Sequence, residues 1–514
     1  MLTLHHITIS TPLGRVILKD LDLSVNTGDR LAVIGEEGNG KSTLCRLLVD
    51  PHLLDGAFVV SGSRFAPGLR IGYLPQTFSE DQLNQSVAHW LRLDDPQSSM
   101  NHRVAVIKQL AQLGISIPHQ RFDEPLIRFS GGERIKLAIA SLMIDLPELL
   151  VLDEPTNDLD LPTLRWLERF LLSTRIPVVF VSHDTTLLTR CANRILHLEQ
   201  TQRKTVPLWT LHSTGYEAYL NARKANLQRQ TILANKQKAD YDHQVERWRN
   251  IYQKVEHAQA TISRQDPAGA RLLKKKIKNL KAVKDRLDHQ PKLKKPDPEE
   301  AVTLFFDAHA PVPASKRLLE DYLECLSMNG RVLSHDLQLT VMGQDRVAII
   351  GPNGCGKTTY LNHLIAQAQA KGIKLGVMPQ HLDSTLPLHR CAVDALRVTG
   401  TTEEKTRIMT LLGNLKFTAD EMLQPLGDCS QGQKAKVLLA SLVMGDYELL
   451  ILDEPTRNLS PLTLPVIVGM LQRFHGAILA VSHDRHFLGH VFTSVLELGL
   501  RGLNAIDLDE LMRV

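Results

Sequence analysis

Apolar residues along this chain fall into short blocks set between glycine-rich or acidic turns. Arg30-Leu-Ala-Val-Ile34 is a tight apolar run that predicts a buried strand. A glycine-rich stretch follows, and then Leu44, Leu47 and Leu48 recur at helical spacing. Leu149-Leu-Val-Leu and Val178-Val-Phe-Val181 predict two more buried strands. The same series returns later as Arg346-Val-Ala-Ile-Ile350, Leu449-Leu-Ile-Leu and Ala480-Val481. Between the two series the period changes. From Tyr216 good helix formers dominate, and Tyr241, Val245, Trp248, Tyr252 and Val255 step by 4, 3, 4 and 3, a heptad seam. A second stripe holds Leu273, Ile277, Leu280, Val283 and Leu287. Asp266-Pro267-Ala-Gly269, within a break over Thr261–Gly269, is a turn signal, Asp288-His-Gln-Pro291 ends the second helix, and a Pro/Lys-rich linker runs to about Pro313. The pattern predicts an antiparallel helical hairpin, its first helix about 42 residues and roughly 60 Å long. The fold class is α/β: two tandem domains of like pattern, 1–215 and 301–514, joined by an α-helical hairpin linker over 216–300.

Each predicted strand delivers chemistry. Gly35, Glu36, Glu37, Gly38, Asn39, Gly40, Lys41, Ser42 and Thr43 form a strand-to-helix loop of the G-x-x-x-x-G-K-[ST] type. Gly351, Pro352, Asn353, Gly354, Cys355, Gly356, Lys357, Thr358 and Thr359 form the second. Glycines let successive N–H groups turn onto a nucleotide's phosphates, the lysine reaches the β/γ oxygens, and Ser42 or Thr358 would ligate Mg²⁺. The next strands end in Asp153-Glu154-Pro-Thr and Asp453-Glu454-Pro-Thr. Asp153 and Asp453 suit the Mg²⁺ shell, and Glu154 and Glu454 suit polarising an attacking water. The last strands end in Ser-His-Asp, placing His183 and His483 where a γ-phosphate would lie. Asp153 to Asp453 and His183 to His483 are both offsets of 300, whereas Lys41 to Lys357 is 316, so the second copy has lost 16 residues between lysine and acids.

Composition adds three constraints. The six cysteines (45, 191, 325, 355, 391 and 429) form no C-x-x-C pair, which points to a reducing compartment and away from structural zinc. The N-terminus lacks the pattern of a secretion signal, and no apolar run approaches the roughly 20 residues of a membrane span, so a cytoplasmic protein is expected. Residues 216–300 carry 20 Lys+Arg against 11 Asp+Glu, a net of +9, in a chain whose total is +4. The insert is therefore where a polyanion would be met.

Between loop and acids lie Phe129-Ser130-Gly131-Gly132-Glu133 and Cys429-Ser430-Gln431-Gly432-Gln433. With the loops, acids and Ser-His-Asp ends, these motifs resemble the ATP-binding-cassette ATPases over nearly all of both halves. The resemblance implies a head-to-tail sandwich: ATP between the loop of one half and the signature serine and glycines (Ser130, Gly131, Gly132; Ser430, Gln431, Gly432) of the other. It also implies Q-loop roles near Mg²⁺ and the water for Gln76 and Gln380. Twin cassettes with a charged helical hairpin and Asn157-x-Leu-Asp160 after the acids are similar to the ABC-F class. That class implies a ribosome partner near the exit-tRNA site, through ribosomal RNA and tRNA, as a translation factor or an antibiotic-protection protein. With only 89 residues from Lys41 to Ser130 the arm insertion of some members is not expected, nor is a C-terminal extension beyond Val514, so contacts made by those parts are not carried over. A single chain closing its own sandwich, hence a monomer, is expected.

The copies differ. Gln431 stands where a glycine belongs, and Arg457-Asn-Leu-Ser460 replaces Asn157-Asp-Leu-Asp160; both departures are expected to face the first loop and make the Lys41 site the slower one. Leu13 and Asn329 stand where the family often stacks an aromatic on adenine, leaving selectivity between ATP and GTP open. In the hairpin, Arg271, Lys274, Lys275, Lys276, Lys278, Lys281 and Lys284 are expected on the outside, gripping RNA backbone. The helical turn, near His257 to Ala268, is short and polar, which leans toward a translation-factor role or a resistance protein acting indirectly through tRNA. The competing reading is the fused ATPase pair of an importer beneath a membrane permease, whose halves join through a short connector. A chromosome- or repair-type ATPase would want a much longer coiled coil or a zinc hook.

Overall fold

The computed structural model describes residues 1–94, 100–157, 159–201, 206–261, 267–289, 311–328, 330–457 and 459–508. Two compact units divide the chain: Met1–Tyr216 with Glu300–Val514, and Glu217–Glu299. Within the first unit each half is built on a six-stranded sheet of the same order. The first runs Ile71–Leu74, Leu149–Asp153, Val178–Val181, Arg30–Gly35, Arg194–Gln200 and Val206–His212; the second runs Leu375–Met378, Leu449–Asp453, Ala477–Val481, Arg346–Ile350, Ser494–Gly499 and Gly502–Ile506. All neighbours are parallel except the last pair of each sheet. Both faces of the central strands are buried, which is why they read as unbroken apolar runs. In register, Val181 pairs with both Val33 and Asp153, so the strand ending in Ser-His-Asp lies between the loop strand and the acid strand. Loop, acids and histidine thus emerge together at one sheet edge in each half.

The lost residues have a structural address. Lysines lie 316 apart, Q-loop glutamines 304 and signature serines 300, so most of the loss precedes Gln380. In the first half, Lys41–Val49 is followed by the turn Pro51–Leu54 and the strand Val59–Phe65, which completes a three-stranded antiparallel sheet with Leu2–Ser10 and Val16–Val25. In the second, a longer helix Lys357–Ala370 leads directly into Leu375–Met378. Its antiparallel sheet has two strands among the described residues, Arg317–Met328 and Arg331–Met342. Each signature helix, Gly131–Ile144 or Gln431–Met444, belongs to a helical layer; in the first half Val87, Leu91, Val106, Leu110, Phe129 and Leu137 form its core.

The second unit is a pair of helices, Tyr216–Thr261 and Pro267–Asp288. The first has 46 residues, about 69 Å at the α-helical rise. Tyr241 Oη donates to Asp288 Oδ1 at 2.5 Å, and Trp248 Nε1 donates to the Leu280 carbonyl at 2.7 Å. Those pairings make the helices antiparallel. Pro267, expected within the turn, instead opens the second helix, where its missing N–H costs no bond. Residues 262–266, at the expected tip, and 290–310, in the expected linker, lie outside the described residues. Two expectations on the second helix fail. Val283 is exposed, and Lys284 takes its place on the seam, its Nζ bonded to Tyr241 Oη at 3.2 Å and Asp288 Oδ1 at 2.5 Å. A step of 4 then 3 from Leu280 suits a heptad as well as 3 then 4, and the lysine stem covers apolar surface while its amine finds partners. Arg271, Lys274, Lys275, Lys276, Lys278 and Lys281 are exposed.

Candidate nucleotide sites between the two halves

The two glycine loops have one backbone. Gly38 and Gly354 take φ of 77 and 78°, and Gly40 and Gly356 take 87 and 103°, left-handed values at which a side chain is strained. The loop therefore wraps inward and its N–H groups converge. Lys41 Nζ lies within it, donating to the carbonyls of Gly35 at 2.9 Å and Glu36 at 3.2 Å; Lys357 Nζ meets Gly351 at 2.8 Å and Pro352 at 3.0 Å. The loop and its lysine fit a nucleotide's phosphate chain. Ser42 Oγ donates to Asp153 Oδ1 at 3.2 Å, and Thr358 Oγ1 to Asp453 Oδ2 at 2.8 Å. Asp453 Oδ1 is buried without a hydrogen-bond partner among the described residues. Burial pushes the Asp153 carboxyl up to about 6, with the Glu154 charge adding and the Ser42 bond opposing. A buried hydroxyl–carboxylate pair with an unmatched oxygen fits a hard divalent cation such as Mg²⁺.

The two water-side glutamates are held differently. Glu154 and Glu454 share a left-handed φ, 52 and 50°, a conformation that persists at a non-glycine residue only where its surroundings enforce it. Glu154 accepts from Gln76 Nε2 at 2.8 Å, Asn157 Nδ2 at 2.8 Å and His183 Nε2 at 3.2 Å. Burial alone would raise its pKa, but the His183 bond and charge, Lys41 and the Asn157 bond together hold it down, at about 2. In the second half Arg457 replaces Asn157, and Gln380 is half-buried beyond Leu375–Met378. The contacts on Glu454 are longer: the His483 N–H at 3.4 Å and its ring at 3.7 Å. Burial and the Asp453 charge push the Glu454 carboxyl up, out of the usual range. Burial and the Lys357 charge push His483 down to about 3.

The halves meet head to tail at these loops. Ser130 caps Gly131–Ile144 in a reciprocal box with Glu133, and Ser430 caps Gln431–Met444 with Gln433. Gln431 turns its amide outward to Asp383, leaving the helix head open to the Gly432 N–H. That N–H is met by Glu37 of the first loop, at 3.0 and 3.1 Å to its two carboxylate oxygens. On the other side Asp160 Oδ2 accepts from the Asn353 N–H of the second loop at 3.4 Å, while its Oδ1 caps Thr163 at 3.1 Å. The expectation for Arg457–Ser460 needs correcting at Ser460: its hydroxyl is buried against Thr463 at 2.9 Å. Without the longer aspartate cap, the helix there begins only at Leu464, against Leu161 in the first half. Asn458 lies outside the described residues, as does Asn329; Leu13 stands almost fully exposed in the turn before Gly14. A buried ion pair also crosses the interface, from Glu168 to Arg485.

Four features escaped motif reading: Asn157 as a Glu154 partner, Glu37 on Gly432, Lys416 with Glu36 at 3.1 Å, and Arg485 with Glu168. A signal existed in the contrast between copies, since 300 residues from Asn157, Glu168 and Arg485 stand Arg457, Val468 and Thr185.

Comparison with known proteins agrees with this geometry. The family described as "ABC transporter" matches residues 18–157 and 334–457, just over half of the chain. "Probable ATP-binding protein YheS" of Escherichia coli K12 is 28% identical over 92% of this chain and 75% of its own length. "Energy-dependent translational throttle protein EttA" of the same strain is 27% identical over 96% of this chain and 91% of its own. Among solved structures, an archaeal ribosome recycling factor, aABCE1, superposes with a TM-score of 0.57 at 15% identity, covering 98% of this chain and 90% of that one, a likeness of fold. No described helix is long and apolar enough to cross a membrane. With both halves matched and both carrying the loop, signature and acid strand in one arrangement, the chain belongs to the ATP-binding-cassette ATPases.

Proposed function

We propose that this chain is a twin-cassette ATPase of the ABC-F class that binds the ribosome near the exit-tRNA site. Its hairpin acts on peptidyl-tRNA or the peptidyl-transferase centre. The observation that carries this reading is the exposed basic row Arg271, Lys274, Lys275, Lys276, Lys278 and Lys281, on a helix whose seam is already filled by its partner. Such a face suits a phosphate backbone. The relative EttA, a translational throttle by name, supports translation as the setting. In each site the lysine and loop N–H groups hold the triphosphate. Ser42 with Asp153, and Thr358 with Asp453, would hold Mg²⁺, with Gln76 and Gln380 beside them. When bound, Mg²⁺ supplies neutralisation of the charge that develops on the phosphates. Glu154 and Glu454 orient the attacking water, and His183 and His483 contact the terminal phosphate. The signature helices close each site from the opposite half, within one cytoplasmic monomer.

Glu154→Gln together with Glu454→Gln should leave ATP bound and the halves locked. With ATP this variant should co-sediment with ribosomes, and without ATP it should stay in the supernatant. Recovery with membranes instead would favour the importer-type ATPase pair. Converting Lys274, Lys275 and Lys276 to Glu should weaken ribosome binding more at low salt than at high, with the log–log salt slope reduced by about 0.9 for each phosphate no longer neutralised. Unchanged binding would remove this face from the interface.

A further inference from the structure

We infer that Glu37 is a specificity-determining residue of the first nucleotide site: its carboxylate holds the head of the Gln431–Met444 helix, so a nucleoside triphosphate seats at Lys41 only by displacing it. The inference rests on the Lys41 loop being a nucleotide site and is independent of any ribosome partner.

Three observations converge. Both Glu37 oxygens lie within hydrogen-bond distance of one N–H, that of Gly432, at 3.0 and 3.1 Å. A carboxylate on the first turn of a 14-residue helix is favoured by the helix dipole and makes a charge-assisted bond. The contact is an anion on the same kind of helix end that would receive a terminal phosphate from across the interface. Next, the neighbouring acid of the loop is also tied to the second half: Glu36 pairs with Lys416 at 3.1 Å. Two consecutive loop residues thus fasten the first loop directly to the opposite half. Finally, the other site lacks the device. At the matching loop positions stand Pro352 and Asn353, neither charged, and the Asn353 backbone N–H donates to Asp160.

The consequence is selective for the third phosphate. A diphosphate ends short of the helix head and leaves the Glu37 contact in place. A triphosphate must take that position and push the carboxylate aside. It also meets the Glu37 charge, whose field already reaches the Lys41 ammonium. The Lys41 site should therefore prefer ATP over ADP much less than the Lys357 site does.

The test uses the full chain carrying Lys357→Ala, so that nucleotide titrates the first site alone. Binding of Mg²⁺ with ADP, and with a non-hydrolysable ATP analogue, is measured by calorimetry for Glu37, Glu37→Asn, Glu37→Gln and Glu37→Asp, with unfolding curves confirming that each variant folds. Asn and Gln should tighten the triphosphate analogue about tenfold or more while changing ADP by no more than about twofold, since a charge-assisted bond no longer competes. Glu37→Asp keeps the charge but is one methylene shorter, and should recover a large part of that gain. Equal tightening of both nucleotides, no change in either, or an Asp variant that binds like the parent would each overturn the proposal. Absence of nucleotide binding in every variant would overturn it together with the reading of the loop.

Discussion

Glu454→Gln is expected to lower steady-state ATP turnover about tenfold or more, and Glu154→Gln by no more than about threefold. Removing a group that positions or polarises the attacking water costs about 10² to 10⁴ at its own site. What remains is the flux through the other site, so the two losses report the two rates. The carboxylates taken alone argue for the opposite order. Glu154 has three partners and is held ionised, whereas burial and Asp453 push Glu454 up. The Asp453 part of that push would fall with Mg²⁺ bound beside the aspartate. The obstacle at the Lys41 site does not fall: its loop carries Glu36 and Glu37, and Glu37 sits on the head of the facing signature helix. The obstacle that persists under turnover conditions decides the order. Phosphate release measured on the two single variants checks it; equal losses would overturn the order, and a larger loss for Glu154→Gln would reverse it.

Removing Glu168 from its pair with Arg485 should cost about 3–5 kcal/mol in the stability of the unit formed by the two halves, because it strands the Arg485 guanidinium away from water. Both groups are almost fully buried, and Arg190 reaches the other Glu168 oxygen at 3.2 Å. Arg485 Nε and Nη1 have no hydrogen-bond partner among the described residues. The pair is therefore already imperfectly satisfied, and its net contribution against a well-packed apolar pair is small. Glu168→Ala should lower the urea midpoint strongly and Arg485→Ala less, because Arg190 stays on Glu168, while Glu168→Leu combined with Arg485→Met should restore most of the Glu168→Ala loss. Single variants that unfold like the parent chain would show that water reaches the pair.

How much of this was legible beforehand depends on how far apart the interacting residues lie in the chain. The loop glycines, Lys41, Lys357 and the Asp-Glu pairs are set by backbone geometry within ten residues, and a motif carries that geometry whole. The hairpin seam was legible from period, since Trp248 and Leu280 lie on apolar stripes. Its last turn was not: a heptad admits either Val283 or Lys284, and the choice fell to partners, Tyr241 and Asp288, that lie on another helix or one turn away.

By itself the amino-acid order determined two copies of one nucleotide-binding domain, their chemistry and the basic insert between them. It also marked the places where the copies diverge. Only the tertiary structure decided what those divergences do. Asn157 steadies Glu154, Ser460 turns inward on Thr463, Arg485 answers Glu168, and Glu37 sits on Gly432, 395 positions along the chain. The physical reason is that hydrogen bonds and ion pairs act over about 3 Å of space whatever the separation in sequence. A single sequence records each partner's identity and leaves their meeting to the fold.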